Sequence, residues 1–247
     1  MPEQVNPPSS RFRSIGRELL ADLQYAARSL RDDLWSIACS PLEIGKAAAL
    51  LGDRDFYLTL AKVLAILGVA YLLDTTIKEA ITESIAPILA PLQTVGKVLL
   101  YSSLTLWYVS GLYLRASRPR QFALTSLEAA GAAGLLADLF KFSFGRRRPR
   151  QSDLHTLWFA GGLSFPSGEV TPSAAIAAGL SAYWGDRRYV SVVCYSFALM
   201  VGLGRMGRNA HWFSDVVGAM MLGYLTLRLF LWMHGLRDGR DSGVASD

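Results

Sequence analysis

Six apolar segments, separated by short clusters of charged residues, restrict what this chain of 247 residues can fold into. The segments are 56–73, 95–114, 122–144, 170–184, 189–204 and 215–233. Only 18% of the residues are charged, whereas about a quarter is usual in soluble proteins. Runs of this kind predict helices that cross a lipid bilayer, because a helix satisfies its own backbone hydrogen bonds. We therefore predict an all-α fold, a bundle of six transmembrane helices.

The residues before the first span predict an additional helix. Apolar side chains recur there at helical spacing, at Leu19, Leu20, Leu23, Ala27, Leu30 and Leu34. The pattern predicts an amphipathic helix on the membrane surface, and a helix packed on the protein itself is the open alternative. The expected domains are an N-terminal cytoplasmic segment (1–55), a membrane domain (56–235) and a disordered C-terminal tail (236–247).

Basic loops predict the orientation in the membrane. With an even number of spans, both termini share a side with the loops around Arg115 and Arg187. Short basic loops favour the cytoplasm, so the opposite ends of the spans should face outwards. The positive residues form no basic stripe interleaved with aromatics, which argues against a nucleic-acid partner.

Basic residues gather where the third segment ends. Lys141 is followed seven positions later by Arg148, and Pro149 restrains the backbone after that arginine. A phosphate group in a transition state needs several fixed positive charges around its oxygens. Arginine binds two such oxygens with its planar fork. A single one of these residues would be interpreted as a snorkelling side chain, whereas the cluster favours an anion site.

The tripeptide Pro166-Ser167-Gly168 lies just before the fourth segment. It is typical of a turn that enters a helix N-terminus, where backbone N–H groups favour an anion. Ser167 adds a hydroxyl. By itself the tripeptide is an ordinary turn.

A histidine and an aspartate precede and open the last segment. His211 and Asp215 are four positions apart, so they share one face of a helix that begins early enough. The carboxylate could then fix the imidazole tautomer, leaving the other ring nitrogen to attack phosphorus. Arg205 lies six positions before the histidine. Without this arginine and the other two motifs, a capping aspartate beside an interfacial histidine would be the simpler interpretation.

Taken together, the three motifs resemble the signature of the type 2 phosphatidic acid phosphatases, a family of integral membrane lipid phosphatases that shares its motifs with vanadium haloperoxidases. The family pattern is Lys, six residues, Arg-Pro; then Pro-Ser-Gly-His; then Ser-Arg, five residues, His, three residues, Asp. The matching positions are Lys141, Arg148 and Pro149; Pro166, Ser167 and Gly168; and Arg205, His211 and Asp215. The resemblance covers roughly residues 56–235.

The resemblance implies a mechanism and a substrate class. His211 would be the nucleophile that forms a phosphohistidine, and Asp215 would orient it. The groups implied to hold the phosphate are Lys141, Arg148, Arg205, Ser167 and Gly168. The implied substrate is a phospholipid or polyprenyl phosphate, cleaved without a metal or other cofactor. From the resemblance together with the basic loops, we expect a location in the bacterial inner membrane, with the active site facing the periplasm or the outside and both termini in the cytoplasm.

Two positions depart from the family pattern. Gly204 replaces the serine of the third motif, and Glu169 replaces the histidine that protonates the departing alkoxide. A carboxyl group donates a proton only if its pKa is raised, and we expect the nearby cations to keep Glu169 ionised. Glu169 could be a working acid, or a diphosphate substrate could need little acid help. The chain could instead be a pseudoenzyme that binds lipid phosphates, or carry an introduced substitution.

The predicted function is that of a membrane lipid phosphatase. A lipid phosphotransferase using the same site is one alternative, and a catalytically impaired lipid-phosphate-binding protein is another. A small transporter or channel is disfavoured, because most of the candidate polar residues lie at segment ends rather than deep within the spans.

Overall fold

The structure is a computed structural model that describes residues 8–39, 54–81, 83–185 and 187–236. The chain divides into two compact units, residues 1–42 and 43–247. Apart from residue 236, the predicted C-terminal tail lies outside the described residues, as do residues 1–7 and 40–53 of the predicted N-terminal segment.

The first unit contains helix α1 (Pro8–Cys39). Five leucines of the predicted apolar face are exposed, with 48–59% of their surface accessible, namely Leu19, Leu20, Leu23, Leu30 and Leu34. Exposed leucines at helical spacing are what a helix on a membrane surface requires. The interfacial position of α1 stays a prediction.

The second unit is built from eight helices in its described residues. They are α2 (Arg54–Leu72), α3 (Asp74–Ala80), α4 (Ala86–Leu89), α5 (Leu92–Tyr113), α6 (Ser117–Phe144), α7 (Val170–Tyr183), α8 (Arg188–Gly207) and α9 (Phe213–Met233). The described part of the chain contains no strand. The all-α prediction is therefore confirmed, and each predicted apolar segment coincides with a helix to within a few residues.

Fewer helices than predicted meet the requirements for crossing a membrane. Within the described residues, three helices are long and apolar enough, namely α6, α8 and α9, and the pair α2 and α3, bent by 48°, forms a fourth if it is one span. Helix α7 has only 14 residues, and at 1.5 Å per residue it is about 21 Å long, against about 30 Å of hydrocarbon. The protein is an integral membrane protein, and the count of six spans is not confirmed.

Helix α7 is the centre of the bundle because its side chains are small. It packs against α6, α8 and α9, and its residues from Val170 to Ala182 are almost all buried. A Cβ atom at Gly179 would overlap the Ser126 hydroxyl of α6. One at Gly223 of α9 would overlap the carbonyl of Thr171. Small residues thus let both neighbouring backbones approach α7 closely.

The direction of the helices brings the three motifs to one end of this bundle. Helices α6 and α8 end where α7 and α9 begin. Gly145 ends α6 with a φ of 53°, a left-handed conformation that glycine adopts without strain. The loop that follows returns to α7 at Val170, so the first motif lies beside the second.

Candidate active site

His211 occupies the turn between α8 and α9 and is 3% exposed. Its Nδ1 is 2.8 Å from the carbonyl oxygen of Ser164, and its Nε2 is 3.2 Å from the guanidinium of Arg205. A carbonyl only accepts and an arginine only donates, so these two partners select the tautomer with the proton on Nδ1. The Nε2 lone pair is therefore directed at the arginine, where a bound anion would lie.

Asp215 reaches this histidine less directly than the sequence suggested. Its Oδ2 is 3.7 Å from His211 Nδ1, beyond hydrogen-bond distance. The same oxygen accepts hydrogen bonds from the Ser164 hydroxyl at 2.5 Å and from the Trp212 amide at 2.8 Å. Asp215 thus holds the serine whose carbonyl orients the imidazole, and its charge acts on the ring from a short distance.

The protonation of His211 follows from these surroundings. Burial lowers the pKa of the imidazole, the nearby carboxylate of Asp215 raises it, and the charges of Arg205 and Arg148 lower it. The net result is a pKa below the usual range. The imidazole is accordingly neutral at neutral pH, as a nucleophile must be.

The structure brings the predicted cations to the same end of the bundle. Burial lowers the pKa of the Arg148 guanidinium, and the charges of Arg150 and Arg205 lower it further. Lys141 donates to Asp138 at 2.7 Å, and its Nζ lies against the Cα of Gly168. Cations crowded in this way favour a bound anion, since the anion relieves their mutual repulsion.

Three buried polar atoms at the site have no hydrogen-bond partner among the described residues. They are the hydroxyl oxygen of Ser167, the Nε of Arg205 and the amide oxygen of Gln93, and the first two can donate a hydrogen bond. Ser167 is fully buried, and leaving such a group unpaired costs roughly 1–3 kcal/mol. Phosphate oxygens are acceptors, which the Ser167 hydroxyl and the Arg205 N–H lack among the described residues.

Glu169 is the residue before α7, and its carboxylate is surrounded by donors. It accepts hydrogen bonds from Gln93 at 2.6 Å, from Lys97 at 3.0 Å and from Arg205 at 2.9 Å. Burial raises the pKa of this carboxyl, but the hydrogen bonds of Lys97 and Gln93 and the charges of Arg205 and Lys97 outweigh it. The pKa lies below the usual range, so Glu169 is ionised.

Gln93 and Lys97 were not among the residues predicted for the site. They lie four positions apart at the start of α5, so both side chains project from one face of that helix. A polar pair on one face at the start of an apolar segment was the signal that could have identified them.

Arg146 was also missed, because in the sequence it is one of a run of arginines. It is completely buried and pairs with Asp215 at 2.6 Å and with Asp74 at 2.6 Å. The rings of Trp158 and Trp212 lie 4.6 and 5.5 Å from its guanidinium carbon. Arg146 therefore ties the first motif to the start of α9 and to α3.

The arrangement suits attack on a phosphorus atom. It combines a neutral imidazole, at least three cations and an unpaired hydroxyl at the end of a helical bundle. Among the described residues, no group of three or more His, Cys, Asp or Glu side chains is placed to hold a metal ion.

Comparison with known proteins places all three motifs inside one matched region. The model of the PAP2 superfamily matches residues 122–238. A lipid A 1-phosphatase of Porphyromonas gingivalis is 32% identical over 112 residues, which are 44% of this chain and 23% of that protein. The chain thus matches about a quarter of that relative's length.

A solved structure is also similar. It is the crystal structure of a transmembrane PAP2 type phosphatidylglycerolphosphate phosphatase from Bacillus subtilis. The two chains are 20% identical, the TM-score is 0.47, and the match covers 81% of this chain and 95% of the other.

Proposed function

We propose that this chain, whose residues 122–238 match the PAP2 superfamily, is a member of that superfamily and a membrane lipid phosphatase that uses a phosphohistidine intermediate on His211. Its substrate would be a lipid phosphomonoester or diphosphate of the phosphatidic acid, phosphatidylglycerol phosphate or undecaprenyl diphosphate type. The observation that carries this proposal is the Nε2 atom of His211, unprotonated and 3.2 Å from Arg205.

In the first step Nε2 attacks phosphorus, a P–N bond forms, and the bond to the lipid oxygen breaks. Arg205, Arg148 and Lys141 hold the phosphate oxygens as their charge redistributes. The imidazole becomes a cation, which the buried carboxylate of Asp215 stabilises from 3.7 Å. The Ser164 carbonyl keeps the ring from rotating.

In the second step water attacks the phosphohistidine and releases phosphate. The P–N bond breaks and its electron pair returns to Nε2, which restores the enzyme. A lipid hydroxyl in place of water would make the protein a phosphotransferase with the same residues.

One observation favours a second candidate function. The ionised carboxylate of Glu169 accepts a hydrogen bond from Arg205. A substrate phosphate would otherwise accept that hydrogen bond. This contact supports a lipid-phosphate-binding pseudoenzyme in which phosphate is bound without cleavage.

We further propose that six helices cross a bacterial inner membrane, with the site facing the periplasm and the termini in the cytoplasm. The basic residues Arg118 and Arg187 support this orientation. They lie at the start of α6 and just before α8, whereas the site lies where these helices end.

The test is phosphate release by the purified protein in detergent. The substrates are phosphatidic acid, phosphatidylglycerol phosphate, undecaprenyl diphosphate and a lipid A 1-phosphate. We expect release from at least one of them. Binding without release supports the pseudoenzyme, and neither binding nor release contradicts both proposals.

Replacing Gly168 with alanine should lower this activity without unfolding the protein. The added Cβ would overlap the Nζ of Lys141. Because that atom ends a flexible side chain, the lysine moves and the fold survives. We expect kcat/KM to fall about 10-fold to 100-fold, as misplacement by about 1 Å does elsewhere. The matched control is Gly134→Ala on α6, where a Cβ meets nothing within 4 Å. Equal activity of the two variants would contradict the assignment of Lys141 to phosphate binding.

A further inference from the structure

The ionised state of Glu169 leaves the departing lipid oxygen without the acid that the family pattern provides. A carboxylate has no proton to give. Three side chains donate hydrogen bonds to Glu169, namely Gln93, Lys97 and Arg205. An amide and a guanidinium do not release protons near neutral pH, whereas a lysine ammonium does so readily when a strong base forms beside it.

A chain of contacts also connects Lys97 to His211. Arg205 donates to Oε1 of Glu169, and Lys97 donates to Oε2 of the same carboxylate. The other end of the Arg205 guanidinium contacts His211 Nε2. His211 and Lys97 are therefore the two ends of one chain of contacts. Phosphoryl transfer places the nucleophile and the leaving oxygen on opposite sides of phosphorus.

The solvent exposure of Lys97 and His211 fits the roles of leaving-group acid and nucleophile. The Lys97 side chain is 42% exposed, whereas His211 is almost completely buried. A lipid alcohol has to leave through the open side of the site, and the lysine lies on that side.

We propose that Lys97 is the general acid of this site, held in position by Glu169, and this inference rests on the proposed phosphatase function. As the bond between phosphorus and the lipid oxygen breaks, the electron pair stays on that oxygen, which takes a proton from Lys97 Nζ. Lys97 becomes a neutral amine. An amine is a much weaker base than an alkoxide, so this transfer is favourable.

The neutral amine of Lys97 then acts as the general base of the second step. It removes a proton from the attacking water while the P–N bond breaks and its electron pair returns to His211. The cycle ends with a protonated Lys97, a neutral His211 and free phosphate. Glu169 stays ionised throughout and has a positioning role.

The test compares two variants on two leaving groups. Lys97→Met removes the proton, and Lys97→Arg keeps the positive charge and the ion pair with Glu169 but cannot release a proton. With phosphatidic acid, which loses a poor leaving group, both variants should lose about 10²–10⁴-fold in kcat, the usual contribution of general acid–base catalysis. With p-nitrophenyl phosphate the first burst of nitrophenol should be little changed, while later turnover slows and phosphohistidine accumulates.

The control is Lys62→Met, an exposed lysine of α2 away from the site, which should leave both reactions unchanged. Wild-type activity in Lys97→Arg on phosphatidic acid would overturn the proposal, because the lysine would then act through its charge alone. An equal loss of the nitrophenol burst and of phosphatidic acid turnover would overturn it as well, since it would indicate phosphate binding. If the wild-type protein releases no product from either substrate, the phosphatase function itself is contradicted, and the role of Lys97 with it.

Discussion

Replacing His211 with alanine should abolish phosphate release. The imidazole is buried and supplies the nucleophile of the proposed cycle, and alanine has no group that can form the bond to phosphorus. Removal of a nucleophile that acts with its partners as a unit costs about 10⁴-fold to 10⁶-fold in kcat elsewhere. The fold should survive, because the Ser164 hydroxyl and the Trp212 amide keep their contacts with Asp215.

The measurement is phosphate release together with alkaline quenching of the wild-type protein on ³²P-labelled substrate. The wild type should carry an acid-labile, alkali-stable phosphate, and the variant should carry none. The matched control is His234→Gln at the far end of α9, which can still hydrogen-bond to Glu128 and should retain full activity. Turnover by the His211 variant at the wild-type rate would contradict the nucleophile assignment.

Replacing Arg146 with methionine should destabilise the protein by about 3–5 kcal/mol, as breaking a buried ion pair does elsewhere. The guanidinium is completely buried and holds the carboxylates of Asp74 and Asp215, each at 2.6 Å. Methionine fills a similar volume but leaves both carboxylates without this cation. Asp215 also accepts the hydrogen bond from Ser164, whose carbonyl orients His211. A displaced Asp215 should therefore change the orientation of the imidazole and reduce activity as well.

This prediction is checked by thermal and denaturant unfolding in one detergent. The matched control is Arg147→Met at the next position, where the side chain is exposed and donates a long bond of 3.4 Å to the Ala160 carbonyl. It should change the stability by less than about 0.5 kcal/mol. Adding Asp74→Asn to the Arg146 variant should recover part of the loss. A destabilisation equal to that of Arg147→Met would show that the buried network contributes nothing.

Local patterns were sufficient to locate the helices. The predicted segment 215–233 became α9 (Phe213–Met233), and 122–144 became most of α6 (Ser117–Phe144). Apolar composition and helical spacing act within a single segment, so no partner is needed to recognise them. The number of helices that span the bilayer does not follow from such patterns. Helix α7 is short and almost completely buried, so its place in the membrane depends on the helices around it rather than on its own length.

The motif spacing also located the candidate nucleophile and its cations. His211, Arg205 and Ser167 do meet at one end of the bundle, because alternate helices run in opposite directions. The Asp215 carboxylate lies 3.7 Å from Nδ1 of the imidazole, too far for a direct hydrogen bond. The carbonyl of Ser164 makes that contact instead, and a backbone oxygen carries no sequence signal.

The order of residues therefore determined the helices and the chemical groups available to the site, since both depend on local composition and spacing. Tertiary packing decided the charge state of Glu169 and the partners of Asp215. Gln93 and Glu169 are 76 positions apart, and Asp74 and Arg146 are 72 apart. Electrostatic interactions depend on distance in space and on burial, and both arise only when α3, α5, α7 and α9 have packed together.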